Sequence, residues 1–482
     1  MLAVGYVLLA LSALAVGGTH AATADQWRRE VIYQILTDRF ANPSQPTEAC
    51  ADLSTYCGGT WAAGVPYLDY IRKLGATAVW ISPIPDNTDG GYHGYWQQNM
   101  SRLNANFGDA NGLTQFVEAC HKLEIKVMLD VVINHVGNQD SSDHNDFHQF
   151  YPFNSVDHYH SYCIIQDFTN LQQVQLCRLS GLPDLNQSNT FVDGFLRDWI
   201  KSTLQTFGFD GLRYDTVMEV PAAYWASYTS DLGVFTIGEV DDGDVATVAP
   251  FQGPLDATLN YPMYWALRHA FQEKQSMWGI STTWKDCKAS FQDTKLLGLF
   301  VDNHDNPRFL NINSDSVALA NALAWILFAE GIPIIYYGTE QGFSGGNDPA
   351  NREDLWRSGY QTSNAIFTLL TVLTTYRNTL PDSFFQAEQL ERYVMDDLYV
   401  FVRGQVIVAT TNGGNGHSTS ASVPDLPFAN GTRLIDIVAG KDAITVNNGT
   451  ADIVIDDGAC VELCLAPSPV RPRPLLCYGP SV

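Results

Sequence analysis

The stretch FDGLRYDTVMEV, residues 209–220, is an apolar approach that ends in Arg213, Tyr214 and Asp215 before it meets Met218 and Glu219. Ionised groups at the tip of a buried strand cost free energy unless they pair or serve chemistry. Other apolar runs end in the same way. Asn134 and His135 close IKVMLDVVI, Glu239 follows FTIG, and His304 and Asp305 follow LLGLFVDN. Three carboxylates brought together repel one another unless their protonation states are pushed apart, and that separation is what cleavage of a glycosidic bond needs. In such chemistry Asp215, beside Arg213, is held ionised as the nucleophile. Glu239, preceded by apolar residues, has a raised pKa and acts as general acid and then base. Asp305 and the two histidines hydrogen-bond sugar hydroxyls and favour a distorted ring.

These residues meet only if the runs that carry them are neighbours. VIYQIL at 31, ATAVWIS at 76, IKVMLDVVI at 125, FDGLRYD at 209, VFTIGE at 234, LLGLFVD at 296 and IPIIYYG at 332 alternate with helical stretches such as TFVDGFLRDWIKSTLQTF, and a weaker run lies at LDATLNY. Strands buried on both faces with helices between them predict a parallel (β/α)₈ TIM barrel, an α/β fold whose active site lies at the C-terminal strand ends. A doubly wound sheet is the alternative fold. Residues 135–184 carry SSDHNDFHQFYPFN and two cysteines without a clear helical pattern, which predicts a loop-rich inserted subdomain after strand 3. After about residue 390, DLYVFVRGQVIVAT, TRLIDIV and ADIVIDD, spaced by glycine turns, predict an antiparallel β-sandwich. The expected partition is therefore a barrel over 22–134 and 185–390, an insert over 135–184 and a C-terminal domain over 391–482.

Composition narrows the partners. With 52 acidic against 27 basic residues the net charge is -25, which repels phosphate backbones and anionic lipid, so nucleic acid is excluded as a partner while a neutral sugar is compatible. The apolar run LAVGYVLLALSALAV at the start is short for a bilayer span and is followed by the small residues Thr19 and Ala21. It predicts a secretory signal over 1–21, no membrane in the mature form and an extracellular monomer. Nine cysteines leave at least one unpaired. Cys50 with Cys57, and Cys163 with Cys177, sit in polar stretches that suit local disulfides. The pairing of Cys120, Cys287, Cys460, Cys464 and Cys477 stays open. Asn99, Asn186, Asn430 and Asn448 each begin a glycosylation triplet.

The motifs DVVINH (130–135), GLRYD (211–215), IGEV (237–240) and FVDNHD (300–305) resemble the four conserved regions of glycoside hydrolase family 13, the α-amylase family. LPDLN at 182 resembles its additional motif. TDRFA, CGGTW, YHGYWQQN, DNPRF, GIPIIYYG and DPANRE follow in the order found in fungal secreted α-amylases, so the likeness covers nearly the whole chain after the leader. It implies Asp215 as nucleophile, Glu239 as acid/base and Asp305 as transition-state stabiliser, with Arg213, His135 and His304 on the sugar. It implies further that Tyr95 stacks beneath the sugar with His93 and Trp96 nearby, and that Asp348 and Arg352 line the glycone side. The implied substrates are starch, glycogen and maltooligosaccharides, and the implied cofactor is calcium, held by positions matching Asn134, Gln175, Asp184 and Glu219.

The resemblance fails at particular residues. Met218 and Glu219 stand where fungal α-amylases have a Lys-His pair on the leaving-group side. That loss of donors is expected to change how the acceptor binds and opens a 4-α-glucanotransferase as an alternative to hydrolysis. Gln175 replaces an acidic calcium ligand, which predicts weaker calcium binding. Cys287 matches a paired cysteine of the family, but Ala249 occupies its partner's approximate place. An inactive glycan-binding protein is a third reading, disfavoured because all three carboxylates are present.

Overall fold

The computed structural model describes residues 23–44, 47–137, 146–438 and 444–465. The expected leader over 1–21 and Cys477 lie outside the described residues. Eight short strands form the central sheet: β1 (Ile32–Gln34), β2 (Ala78–Ile81), β3 (Lys126–Val131), β4 (Gly211–Tyr214), β5 (Phe235–Gly238), β6 (Ala257–Thr258), β7 (Gly298–Leu299) and β8 (Ile332–Tyr336). They pair in parallel in the order β6-β5-β4-β3-β2-β1-β8-β7. A parallel bridge between Leu259 and Gly298 joins the two ends of that order, with the Asn260 amide donating to the Gly298 carbonyl at 2.9 Å. The sheet is thus a barrel and not the doubly wound alternative. The run LDATLNY contributes only the two residues of β6, and the rest of it is spent on that closure.

The helix Thr190–Phe207, which leads into β4, shows how local sequence sets the elements. Asn189 caps it by accepting from the amides of Phe191 and Val192, Gly208 ends it in the left-handed conformation at φ 73°, and Val192, Leu196, Ile200 and Thr203 form its buried face. Between β3 and this helix lies the insert. Where the sequence suggested no helix, the structure shows single turns at Phe147–Gln149, Val156–His158 and Leu171–Val174. The Cys163–Cys177 disulfide staples it. Its return to the barrel is built into the backbone. The Val136 amide donates to the Pro183 carbonyl at 3.1 Å and the Leu185 amide to the Asn134 carbonyl at 2.8 Å, making an antiparallel bridge of His135 with Asp184.

From Gln389 onward the chain is antiparallel. Six strands pair in one sheet, and Thr419–Val423 pairs with Ala451–Ile455 beside it. The strands Leu398–Arg403 and Val406–Thr411 alternate strictly: Tyr399, Phe401, Val406 and Val408 pack into the barrel's outer core, while Leu398, Val400, Val402, Ile407 and Ala409 face the second cluster with Val423, Ile453 and Ile455. A second disulfide joins Cys50 to Cys57. Cys120, Cys287 and Cys460 are free and buried, and Cys464 is free and partly exposed.

Close approach at the closure requires glycine. A Cβ on Gly298 would lie 2.9 Å from side-chain atoms of Ile237, Leu259 and Ile334. Gly298→Val is expected to destabilise the fold by about 1–3 kcal/mol, read as a lower urea midpoint. An unchanged midpoint would show the closure to be looser than described.

Candidate active site

Of the strand-end residues singled out in the sequence, His135, Asp215, Glu239, His304 and Asp305 open onto one cavity of about 510 Å³ at the C-terminal mouth of the barrel, together with His93, Tyr95 and Trp96, whereas Arg213 and Asn134 do not line it. Met218, Glu219, Asp348 and Arg352 line the same space. Asn134, Gln175 and Asp184 do not line it; they sit behind it, at the seam between barrel and insert.

The centre of the site is Arg213, at the end of β4 and wholly buried. Its Nη1 donates to Asp130 Oδ1 at 2.9 Å and to Asp215 Oδ1 at 2.9 Å. Its Nη2 lies 2.8 Å from Glu239 Oε1, an ion pair whose angle falls outside hydrogen-bond geometry. One guanidinium therefore serves three carboxyls. Burial raises the pKa of all three, with Arg213 opposing the shift in each case. For Asp215 and Glu239 the other carboxyls add to the rise. The apolar approach to Glu239 pointed in this direction. Arg213 favours the ionised form of Asp215, as its place in the sequence suggested, but burial outweighs the guanidinium and the single positive charge is shared three ways, so the carboxyl is pushed up to about 6.

Further contacts orient the two central carboxyls. Glu239 Oε1 accepts from the Tyr261 hydroxyl at 3.2 Å and Oε2 from the Thr216 amide at 3.3 Å, while the Thr216 hydroxyl donates to Asp215 Oδ2 at 3.1 Å. Thr216 has φ 48°, a conformation that a β-branched residue rarely adopts, and its amide and hydroxyl bond both carboxyls from there. Asp130 is fixed from above by Trp80 Nε1 at 2.9 Å and the Tyr95 hydroxyl at 2.7 Å. Asp130, Thr216 and Tyr261 were not among the site residues expected from sequence. Asp130 was visible as the first residue of DVVINH, but its role depends on the barrel bringing β3 beside β4.

The aromatic wall is equally ordered. The Tyr95 ring stacks on His304 with centroids 5.3 Å apart and planes 6° apart, and on His93 at 5.6 Å. His304 Nδ1 receives the Gln34 amide at 2.8 Å, and its Nε2 lies 3.3 Å from Asp305 Oδ2. Burial lowers the pKa of His135 to about 4 and of His304 to about 3, and lowers that of His93 as well, so all three imidazoles are neutral. Arg352 joins two of the lining carboxyls, 3.0 Å from Asp348 Oδ1 and 3.5 Å from Asp305 Oδ1. Phe168, Leu179, Ser180 and Leu182 of the insert, with Asp241, also line the cavity; of these only Leu182, the first residue of LPDLN, belonged to a motif in the sequence.

The seam behind the cleft holds the residues matched to calcium. Asn134 Oδ1 is buried without a hydrogen-bond partner, Asp184 Oδ2 lies 2.6 Å from His160 Nδ1, and Gln175 Nε2 donates to the Met218 carbonyl at 3.5 Å. The Glu219 side chain goes the other way, into the cleft, where burial and the charges of Glu239, Asp215 and Asp184 push its carboxyl up to about 8. Among the described residues no group of three or more His, Cys, Asp or Glu side chains is placed to hold a metal ion.

Three carboxyls on one guanidinium, a further one lining the cleft and neutral imidazoles beside a stacked tyrosine at the mouth of a barrel are the equipment of a glycoside hydrolase. Comparison with known proteins agrees. Residues 34–369 match the family model for the α-amylase catalytic domain. An α-amylase of Saccharomycopsis fibuligera is 35% identical over 92% of this chain and 94% of its own. The structure of an α-amylase from Malbranchea cinnamomea superposes with a TM-score of 0.89 at 34% identity, covering 92% of this chain and 98% of that one. A cyclomaltodextrin glucanotransferase with a three-domain ABC distribution gives 0.81 at 28% identity, over 91% and 99%. The chain belongs to the α-amylase family of glycoside hydrolases.

Removing the hub tests this description. Arg213→Leu leaves three buried carboxyls without their cation and is expected to cost about 3–5 kcal/mol in stability at neutral pH, measured by urea unfolding. A denaturation midpoint equal to the parent's would contradict the shared pairing.

Proposed function

We propose that the protein is a secreted endo-acting α-amylase that hydrolyses α-1,4-glucosidic bonds of starch, glycogen and maltooligosaccharides with retention at the anomeric carbon. The observation that carries the reading is the pair Asp215 and Glu239 on adjacent arms of Arg213. One cation beneath them favours one ionised and one protonated carboxyl, and the pairing suits the separation of about 5–5.5 Å that retaining glycosidases use. Glu239 donates its proton to the glycosidic oxygen as Asp215 attacks the anomeric carbon and forms a glycosyl ester. Glu239, now ionised, takes a proton from water, which displaces Asp215. Asp305, with His304, His135 and Arg352, holds the hydroxyls of the distorted sugar, and the Tyr95 ring meets its C–H face. The related α-amylases support the substrate class. The apolar run at residues 2–16, followed by small residues, supports export.

The seam fits a weakly held calcium ion. The orphaned Asn134 carboxamide oxygen, the Asp184 carboxylate and the Glu219 backbone carbonyl are hard oxygen donors, with Gln175 offering an amide where a charge would bind tighter. When bound there, calcium supplies a structural cross-link between insert and barrel. The second reading, a 4-α-glucanotransferase, is favoured by Met218 and Glu219 on the leaving-group side and by the likeness to a cyclomaltodextrin glucanotransferase.

Products of maltoheptaose decide between these. Shorter maltooligosaccharides alone are expected, whereas chains longer than the donor would establish the transferase and no cleavage would leave a binding protein. Glu239→Gln is expected to lower kcat about 10²–10⁴-fold with KM little changed, and a variant as active as the parent would remove Glu239 from the acid/base role. The pH profile should be bell-shaped. Activity falls on the acid side as Asp215 gains a proton and on the basic side as Glu239 loses one. Because burial raises both, each limb should lie above the pH of an ordinary carboxyl. A chelator is expected to lower Tm by about 2–4 °C, and Gln175→Glu to enlarge the calcium-dependent part of Tm. A Tm indifferent to calcium in both proteins would exclude the ion.

A further inference from the structure

The Tyr261 hydroxyl that donates to Glu239 Oε1 has a second partner, Asn303, whose Nδ2 donates to the same hydroxyl oxygen at 3.0 Å. The direction of this chain is fixed from its far end. The other atom of the Asn303 carboxamide meets three donors: the backbone amides of Asp305 at 3.2 Å and Asn306 at 3.0 Å, and the Asn306 side-chain amide at 3.2 Å. That atom is therefore the carbonyl oxygen, and the amino group must face Tyr261. A phenol that accepts from Asn303 is left to aim its one proton at Glu239, its other hydrogen-bond partner among the described residues. Tyr261 and Asn303 are both buried, and the Tyr261 ring packs edge-on against Phe300, with centroids 5.2 Å apart, and against Tyr264 at 5.8 Å.

The two oxygens of Glu239 are consequently unlike. Oε1 faces the Tyr261 hydroxyl at 3.2 Å and lies 2.8 Å from Arg213 Nη2, whereas Oε2 meets the Thr216 amide alone, at 3.3 Å. A proton on Oε1 would be set against groups that carry hydrogens of their own. Oε2, with one longer contact, is the oxygen left to hold it. The barrel closure brings the two partners together. Tyr261 opens the helix Tyr261–Leu267 just after β6, Asn303 lies four residues beyond the end of β7, and the bridge between Leu259 and Gly298 joins those strands. The same carboxamide, by accepting from the Asp305 amide, ties the backbone of the third carboxylate to the hydrogen bond on Glu239.

We propose that Tyr261 and Asn303 are positioning residues for proton transfer: by aiming the phenol hydrogen at Oε1 they confine the acid proton of Glu239 to Oε2, the oxygen that delivers it. The inference rests on the reading of Glu239 as acid and then base. In the first step the O–H bond at Oε2 breaks as its proton passes to the glycosidic oxygen. The bond from that oxygen to the anomeric carbon breaks with its electron pair staying on oxygen, and Asp215 forms the ester. In the second step a proton of the attacking water returns to Oε2 as the ester bond breaks and its electron pair returns to Asp215. Tyr261 keeps its own proton throughout, and no oxidation or reduction is involved.

The test compares Tyr261→Phe, which keeps the ring and removes the hydroxyl, with the parent on maltoheptaose and on α-maltosyl fluoride, whose leaving group needs no acid. The substitution is expected to lower kcat on maltoheptaose about tenfold with KM little changed, and to leave first-turnover fluoride release within about twofold of the parent. The basic limb of the pH profile should move up, because a hydrogen bond donated to Oε1 favours the ionised carboxyl and its loss favours the protonated one. The charged groups that act on Glu239, namely Arg213, Asp215 and Asp305, are unchanged by the substitution, as are Glu219 and Asp241, which feel its charge. Asn303→Asp keeps an acceptor for the amides of Asp305 and Asn306 but draws the Tyr261 hydroxyl toward the new carboxylate. It should show the same selective loss, with the double variant no slower than the slower single one. Parental kcat on maltoheptaose in Tyr261→Phe, or equal losses on both substrates with an unmoved basic limb, would overturn the inference and leave the acid/base reading standing. Losses that multiply in the double variant would overturn the part given to Asn303. A Glu239→Gln variant as active as the parent would instead sink the acid/base reading on which the inference rests.

Discussion

A single buried guanidinium governs this molecule's chemistry. Arg213 sits where β3, β4 and β5 end side by side, and from there it touches Asp130, Asp215 and Glu239. Taking four ionisable groups out of water is affordable only when they compensate one another, and one positive charge offsets one negative charge fully. The remaining carboxyls must share protons or borrow hydrogen bonds. Trp80 and Tyr95 supply them to Asp130, whereas Glu239 has a phenol and a backbone amide. The excess of acid over base is thus the physical source of the division into an ionised and a protonated carboxyl.

The barrel makes that concentration of charge possible. Parallel strands deliver their C-terminal ends to one place, and the core beneath is apolar enough to keep water out. The insert closes the site from the side, strung to β3 through the pairing of His135 with Asp184. The same residues then serve two purposes. His135 faces the cleft while its backbone holds the seam, and Asn134 keeps its carboxamide oxygen pointed into that seam. The antiparallel sheet from Gln389 onward packs its aromatic face on the barrel's outer core, at a distance from the chemistry.

Much of this was legible in the sequence, for a definable reason. Apolar runs of six to nine residues announce buried strands, three of them ending in a carboxylate that marks a functional tip, and all eight runs became barrel strands. Asp215, Glu239, Asp305, His135 and His304 followed from position alone. What stayed hidden depends on proximity without a local signature. Thr216 bonds both carboxyls from a left-handed backbone, and Tyr261 approaches Glu239 from the first residue of the helix Tyr261–Leu267 after β6, the strand the sequence marked most faintly. Phe168, Leu179 and Leu182 lie in the insert, where no periodicity says which side chain turns inward. The pairing of Asp215 with Arg213 was legible from neighbours in sequence, whereas the sharing of that cation with Asp130 and Glu239, distant in sequence, was not.

The account stands or falls on Asp215 being the group that bonds to the sugar. The direct measurement is to quench the Glu239→Gln variant during turnover of an activated maltosyl fluoride, whose leaving group needs no acid, and to map the trapped sugar by peptide mass spectrometry. The account predicts one added glycosyl group on the peptide that contains GLRYD, at Asp215. A glycosyl group on another carboxyl, or fluoride released with no covalent intermediate and with inversion of the product anomer, would contradict it.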